Sequence, residues 1–348
     1  MMSPRPAADG SPSLRDTPLQ VIHLIGNFLR IWSVYSTYWY LTDTGASVLL
    51  FIFSCLVPSS LIFFILQKPW KGRPLSNQQI VPSIINGAIT ALYFLLWGRS
   101  LKSCGPLRTI MAEYSGASLG VLSAVLYGRR GHLLKKVVGF AAMVVSFYLL
   151  SQGWATASRF PLTFSASGEG EEKAEGDLGF QTIMVPILAG ILSAVRRVIS
   201  RRVSLKNQLK KRLNAITVSS AACFFFPVAI WDALTAASPE SDPKLPFWPS
   251  VSLSYILFGI ILNFYVDCMA EERLHMVFSS ARHLVVTGAC VVAMEVAYKM
   301  NFSLLGFLVC ALILGFGIDA ATSVGRGKPS SQVIGVLEDD LHMPSLPT

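Results

Sequence analysis

An all-α, polytopic membrane protein is the fold class this sequence predicts, and three observations predict it. Ten apolar stretches of roughly membrane length follow one another between Val21 and Ser323. Charge falls almost entirely between them, and the chain is 52% hydrophobic against 14% charged. About 20 apolar residues cross the hydrocarbon core as a helix, because in lipid a segment must satisfy its own backbone hydrogen bonds. So many segments leave no room for a sizeable soluble domain.

The elements follow in order. Residues 1–20 are rich in Pro, Ser and Asp and lack an apolar run, which predicts a disordered cytosolic tail. A first transmembrane half, 21–152, holds spans at 21–41, 46–67, 80–99, 104–127 and 134–152. Arg30 interrupts the first of these, and Trp32, Tyr35, Tyr38, Trp39 and Tyr40 suit an aromatic belt at an interface. An acidic Gly/Glu-rich lumenal loop, 153–179, is too polar to pack. The second half, 180–322, holds spans at 180–199, 213–235, 251–269, 284–298 and 302–322, before a cytosolic tail at 323–348. Five helices per half make the halves enter the membrane in opposite directions, the arrangement of inverted-repeat transporters with a site near midplane.

The net charge of +9 reads as topology rather than as nucleic-acid binding. The basic runs at 68–79, 128–136, 196–212 and 270–283 all fall on one side, which places both termini in the cytosol. The densest run carries Arg196, Arg197, Arg201, Arg202, Lys210, Lys211 and Arg212 without an acid, and reads as a docking surface for anionic lipid or an acidic partner. The six cysteines stand singly, with no paired spacing, and read as small core residues.

Ionisable groups inside a span are costly and therefore candidates for function. Glu113 sits mid-span, with Arg108 or Arg282 as the expected partner. Asp267 lies near a cytosolic helix end, with Arg273 or Arg282 in reach. Glu295 precedes Lys299 by four residues, a spacing that pairs charges on a helix. Glu113, Asp267, Glu295, Arg108 and Arg282 are thus the transport-path candidates. Asp232 and Asp319 lie at helix ends and are expected to be solvated. Histidines are scattered, with His23 alone kept as a metal candidate and His283 expected to be interfacial. No phosphate-binding loop, nucleophile elbow or dinucleotide fingerprint is present, so an enzyme is not expected, and no cofactor is called for.

Three blocks go beyond composition: LQKPWKG (66–72), LLWGRSLKSCGPLRTIMAEYSG (95–116) and LNFYVDCMAEERLHMVFSSAR (262–282). They resemble the N-terminal membrane region of the zinc transporter 5 branch of the cation diffusion facilitator family, with its yeast and plant relatives. The order of the blocks fits across most of 20–335. The resemblance implies an early secretory location, in Golgi or endoplasmic reticulum membranes. It also implies a part in zinc transport, with zinc as substrate, or in assembly of a zinc transporter. The role would be that of an accessory module in a hetero-oligomer with another family subunit. The family's zinc ligands belong to a separate C-terminal six-helix domain that the resemblance does not cover, so no position here inherits one. Two other readings stand beside it. One is an independent carrier resembling drug/metabolite and nucleotide-sugar transporters, with Arg99, Lys102 and Arg108 facing an anionic organic substrate. The other is a non-transporting membrane scaffold.

Overall fold

The computed structural model describes residues 17–70, 75–119, 133–156, 180–206, 210–236, 249–264 and 281–322. Every regular element among them is a helix. Five are long and apolar enough to cross a membrane, and shorter apolar helices accompany them, so the chain is an α-helical, multi-pass membrane protein.

Helix α1 (Thr17–Thr44) is longer than its apolar stretch and takes in Thr17–Gln20, which composition alone would leave in a tail. A short link leads to α2 (Val48–Gln67), where Ser47 caps the first turn by accepting the Leu50 N–H. Ser47 Oγ also donates to Asp232 of the second half at 2.5 Å. Asp232, expected to be solvated at a helix end, is part-exposed there and also ties two helices together at the end of the membrane where α2 begins. Trp231 beside it and Trp70 beyond the other end of α2 are both well exposed. Twenty helical residues span about 30 Å, so these two indoles stand one hydrocarbon thickness apart, where interfacial aromatics belong.

Two expected spans meet in α3 (Asn77–Ala112), which opens with a Ser76 capping box and is broken at Gly105. Trp97 and Glu113 lie 16 residues apart, about 24 Å along a straight helix, yet their side chains hydrogen bond at 3.1 Å. Ser100 and Thr109 meet likewise at 2.7 Å. The chain therefore doubles back at Gly105, and α3 is a hairpin of two arms. Gly105 adopts φ 78°, ψ 172°, a region only glycine enters without strain, and Pro106 restarts the second arm with a preset φ. That second arm gives way to a 3-10 turn, Glu113–Ala117, in place of the continuous helix expected over 104–127.

The remaining elements are α4 (Leu133–Ser151), α5 (Phe180–Lys206), α6 (Lys210–Ala236), α8 (Ala281–Ala297) and α9 (Leu304–Thr322). Between α6 and α8 lies α7, an α-turn Pro249–Ser254 running into a π-helical segment Tyr255–Ile261. The α3 hairpin is central, packing against α5 and α6, while α4 pairs with α9 and α1 with α7 and α8. Small residues allow these approaches, as helix association in lipid requires. Gly190 of α5 is the tightest case: a Cβ there would collide with the Ala112 carbonyl and the Ser115 hydroxyl.

Helix α5 runs past the expected end at 199, so Arg196, Arg197, Arg201 and Arg202 belong to a helix rather than to a loop. Arg196 is only 5% exposed, and Arg212 8%. Arg212 donates from Nε at 2.9 Å, and from a second guanidinium nitrogen, to the Pro69 carbonyl, clamping the link between α2 and α3. These two side chains are packing elements and not part of a docking face. The side chains of Arg201, Arg202, Lys210 and Lys211 lie outside the described residues.

Replacing Gly105 with Ala should cost about 1–3 kcal/mol, because the hairpin would hold a Cβ in a glycine-only conformation. Thermal unfolding in detergent should report this, whereas Gly288→Ala, in ordinary helical backbone with only van der Waals contacts to Phe307, should cost less.

Candidate functional site

The hairpin brings the second arm's first 3-10 residue, Glu113, into the middle of the molecule. Arg30 of α1 donates to Glu113 Oε2 at 2.5 Å, and both side chains are nearly buried, at 11% and 12% exposure. Trp97 Nε1–H donates to Oε1 at 3.1 Å, and the Tyr93 hydroxyl approaches the same oxygen at 3.4 Å. One carboxylate thus gathers α1 and both arms of the hairpin. Among the described side chains its partner is Arg30 and not Arg108. Arg108, on the same arm and near the reversal, is part-exposed.

A neutral network fastens the other side of the same turn. The Tyr114 hydroxyl donates to Thr287 Oγ1 at 2.8 Å and stands 2.7 Å from His283 Nδ1. Asn27 of α1, one turn before Arg30, donates to the same Thr287 oxygen at 3.0 Å. His283, expected at an interface, is therefore a partner of a buried tyrosine. The two adjacent residues Glu113 and Tyr114 are held from opposite sides, so the 3-10 turn is cross-linked to α1 and α8 at once.

Aromatic faces complete the centre. Tyr255, from the π-helical segment, packs on Trp97 with ring centroids 6.0 Å apart and on Phe51 at 5.7 Å. The Arg196 guanidinium lies 4.3 Å from the Phe264 ring centroid and 5.8 Å from that of Tyr93. Cation–π contacts of that kind are strongest where water is excluded. Through Tyr93, the hairpin's ion pair and the second half's arginine share one aromatic wall.

Glu295 stands apart from this cluster. It is 4% exposed and accepts a 2.6 Å hydrogen bond from the Tyr35 hydroxyl of α1. The expected pairing with Lys299 is absent among the described residues. The helix ends at Ala297, and Lys299 turns away in a left-handed conformation with φ 51°. Asp267 and the side chain of Arg282 lie outside the described residues, as does the side chain of His23. The structure therefore separates Glu113 from Glu295 into two environments. Among the described residues, no three of His, Cys, Asp and Glu gather as metal ligands would.

Arg30, Tyr93, Trp97, Tyr114 and Thr287 are site residues that spacing did not reveal. Arg30 carried the one available signal, a charge in the middle of an apolar stretch. The others are ordinary span residues until the reversal at Gly105 brings them together.

The class of protein follows from fold and site: a multi-pass helical membrane protein with a buried, cross-linked polar centre. No known family's profile matches the chain. Among solved structures, it is similar to one titled only "Crystal structure of protein". The two are 17% identical, the match covers 87% of this chain and 98% of that one, and the TM-score is 0.49. A likeness at that level carries no argument about activity.

Removing the charge at Glu113 leaves Arg30 nearly buried without its counter-ion. Glu113→Gln should therefore lower stability by about 3 kcal/mol, the scale for breaking a buried pair. Trp97→Phe removes a donor to a charged acceptor and should cost about 1.5–3 kcal/mol. Both are measured by thermal unfolding in detergent or nanodiscs.

Proposed function

We propose that this chain is an accessory or partner module in zinc transport of the early secretory pathway, a membrane unit assembling with a zinc-carrying subunit. The observation that carries the reading is the state of Glu113. This carboxylate, in the CGPLRTIMAE block that resembles the zinc transporter 5 branch, is engaged by Arg30, Trp97 and Tyr93. A carboxylate so committed holds helices together and has little left with which to coordinate a passing cation. Arg212 supports the same reading, since it braces the Pro69 carbonyl within the KPWKG block. Two of the resembling blocks, 66–72 and 95–116, thus contribute contacts that hold helices of the membrane unit together.

In this reading ten helices form two oppositely inserted halves, both termini are cytosolic, and the membrane is that of the Golgi or endoplasmic reticulum. The partner is another cation diffusion facilitator subunit, and the role is not enzymatic. A second reading is favoured by Arg196. A buried guanidinium over Phe264, with Tyr93 alongside, suits an anionic organic substrate of the kind drug/metabolite-type carriers move.

Zinc uptake into proteoliposomes separates these. The chain alone should give flux no higher than empty vesicles. Co-reconstitution with a six-helix zinc-carrying subunit should yield a complex that co-purifies and carries zinc. Proton-dependent zinc uptake by the chain alone would overturn the accessory role, and uptake of a nucleotide sugar would establish the second reading.

A further inference from the structure

We propose that Glu295 is a proton-binding site closed between α1 and α8, protonated while these helices pack as they do here and emptied when they part. The inference concerns a different carboxyl group from Glu113 and holds whichever cargo or partner the chain serves.

The argument begins with what surrounds the group. Glu295 is 96% buried, and among the described residues its side chain receives one hydrogen bond, from the Tyr35 hydroxyl. No Lys, Arg or His nitrogen lies within 4 Å of it among the described residues. From α1, Tyr35 is the titratable group facing it; Arg30, five residues earlier, is held by Glu113. From α8, Tyr298 bonds to Ser36 of α1 at 2.7 Å and packs its ring against Tyr35, while Lys299 is exposed beyond the helix end. Helix α9 also packs on α8, with Phe307 beside Gly288 and Gly315 beside Leu284. That antiparallel register puts Cys310 of α9 level with the middle of α8 and Asp319 beyond its first turn, both away from Glu295.

An ionised carboxylate in such a place would rest on a single phenol. Burying an unpaired charge is so costly that the group takes up a proton instead. With a proton on Oε2, the carbonyl oxygen Oε1 still accepts from the Tyr35 hydroxyl, so the 2.6 Å contact is kept in the neutral form. Glu295 lies two residues before the end of α8, and Tyr35 and Ser36 both bridge to that end. Parting of α1 from α8 would admit water to the carboxyl. Its O–H bond then breaks, the proton passes to water, and the carboxylate left behind is solvated. Packing and proton binding are in this way one equilibrium.

Infrared spectroscopy of the full chain in lipid nanodiscs reads the carboxyl directly. At pH 7 the difference between wild type and Glu295→Gln should contain a carboxylic-acid C=O band. Tyr35→Phe should keep that band and shift it to higher frequency, since the carbonyl loses its donor. As pH is raised until the band vanishes, hydrogen exchange in α8, taken relative to the intrinsic base-catalysed rate at each pH, should accelerate in wild type. It should not do so in Glu295→Gln, which stays neutral. Carboxylate bands alone in the pH 7 difference would overturn the proposal, as would loss of the band without faster exchange. If Glu295→Gln does not fold, the comparison of wild type with Tyr35→Phe decides. A shifted carboxylic-acid band supports the proton site, and a change confined to carboxylate bands refutes it.

Discussion

The contact between Arg30 and Glu113 is the one on which the arrangement of this membrane unit depends. Neither charge is tolerable alone at that depth, because hydrocarbon offers no water to either. Meeting them requires α1 to pass beside the second arm of α3, and that requires the reversal at Gly105. The reversal in turn presents Trp97 and Tyr93 to the free edge of the same carboxylate. A single carboxyl group therefore orders three helical segments. The neighbouring Tyr114 extends that order to α8 through Thr287.

Polar contacts of this kind do in lipid what apolar burial does in water. Helices that face hydrocarbon gain little from hiding Leu from more hydrocarbon, so close packing and interhelical hydrogen bonds set their pairing. The pairings here follow that logic. Gly87 lies against Thr217 and Ser220, Gly116 against Gly190 and Ala194, and Gly317 against Gly139 and Met143. Each is a place where backbones come close because no side chain intervenes. Bulky apolar residues such as Leu61, Ile65, Leu312 and Phe316 are left outward, where lipid would cover them.

The membrane class was legible in the sequence because hydropathy is a local property, read one segment at a time. A gap between the third and fourth apolar stretches was expected at 100–103, but the reversal falls at Gly105, inside the stretch expected to be one span over 104–127. What a local reading misses is which segments lie side by side. Arg108 is only five residues from Glu113 and was the natural partner by spacing, yet Arg30, 83 residues away, takes the contact. Lys299 sits four residues from Glu295, but the helix ends before the pair forms. Arg196 was expected in a solvated loop because the run after it is so basic. The helix continues instead and carries the side chain into the aromatic centre, where Phe264 and Tyr93 cover it. In each case the residue type was the correct signal and the partner came from tertiary structure.

A double-mutant cycle on Arg30 and Glu113 tests this account most directly. Arg30→Met, Glu113→Met and the pair together would be compared by thermal unfolding in nanodiscs. The account predicts strong coupling: each single change destabilises by about 3 kcal/mol or more, and the double change recovers much of that loss, since no buried charge is left unpaired. Additive losses would contradict it, and would mean that the two charges are solvated separately and the hairpin is held by packing alone.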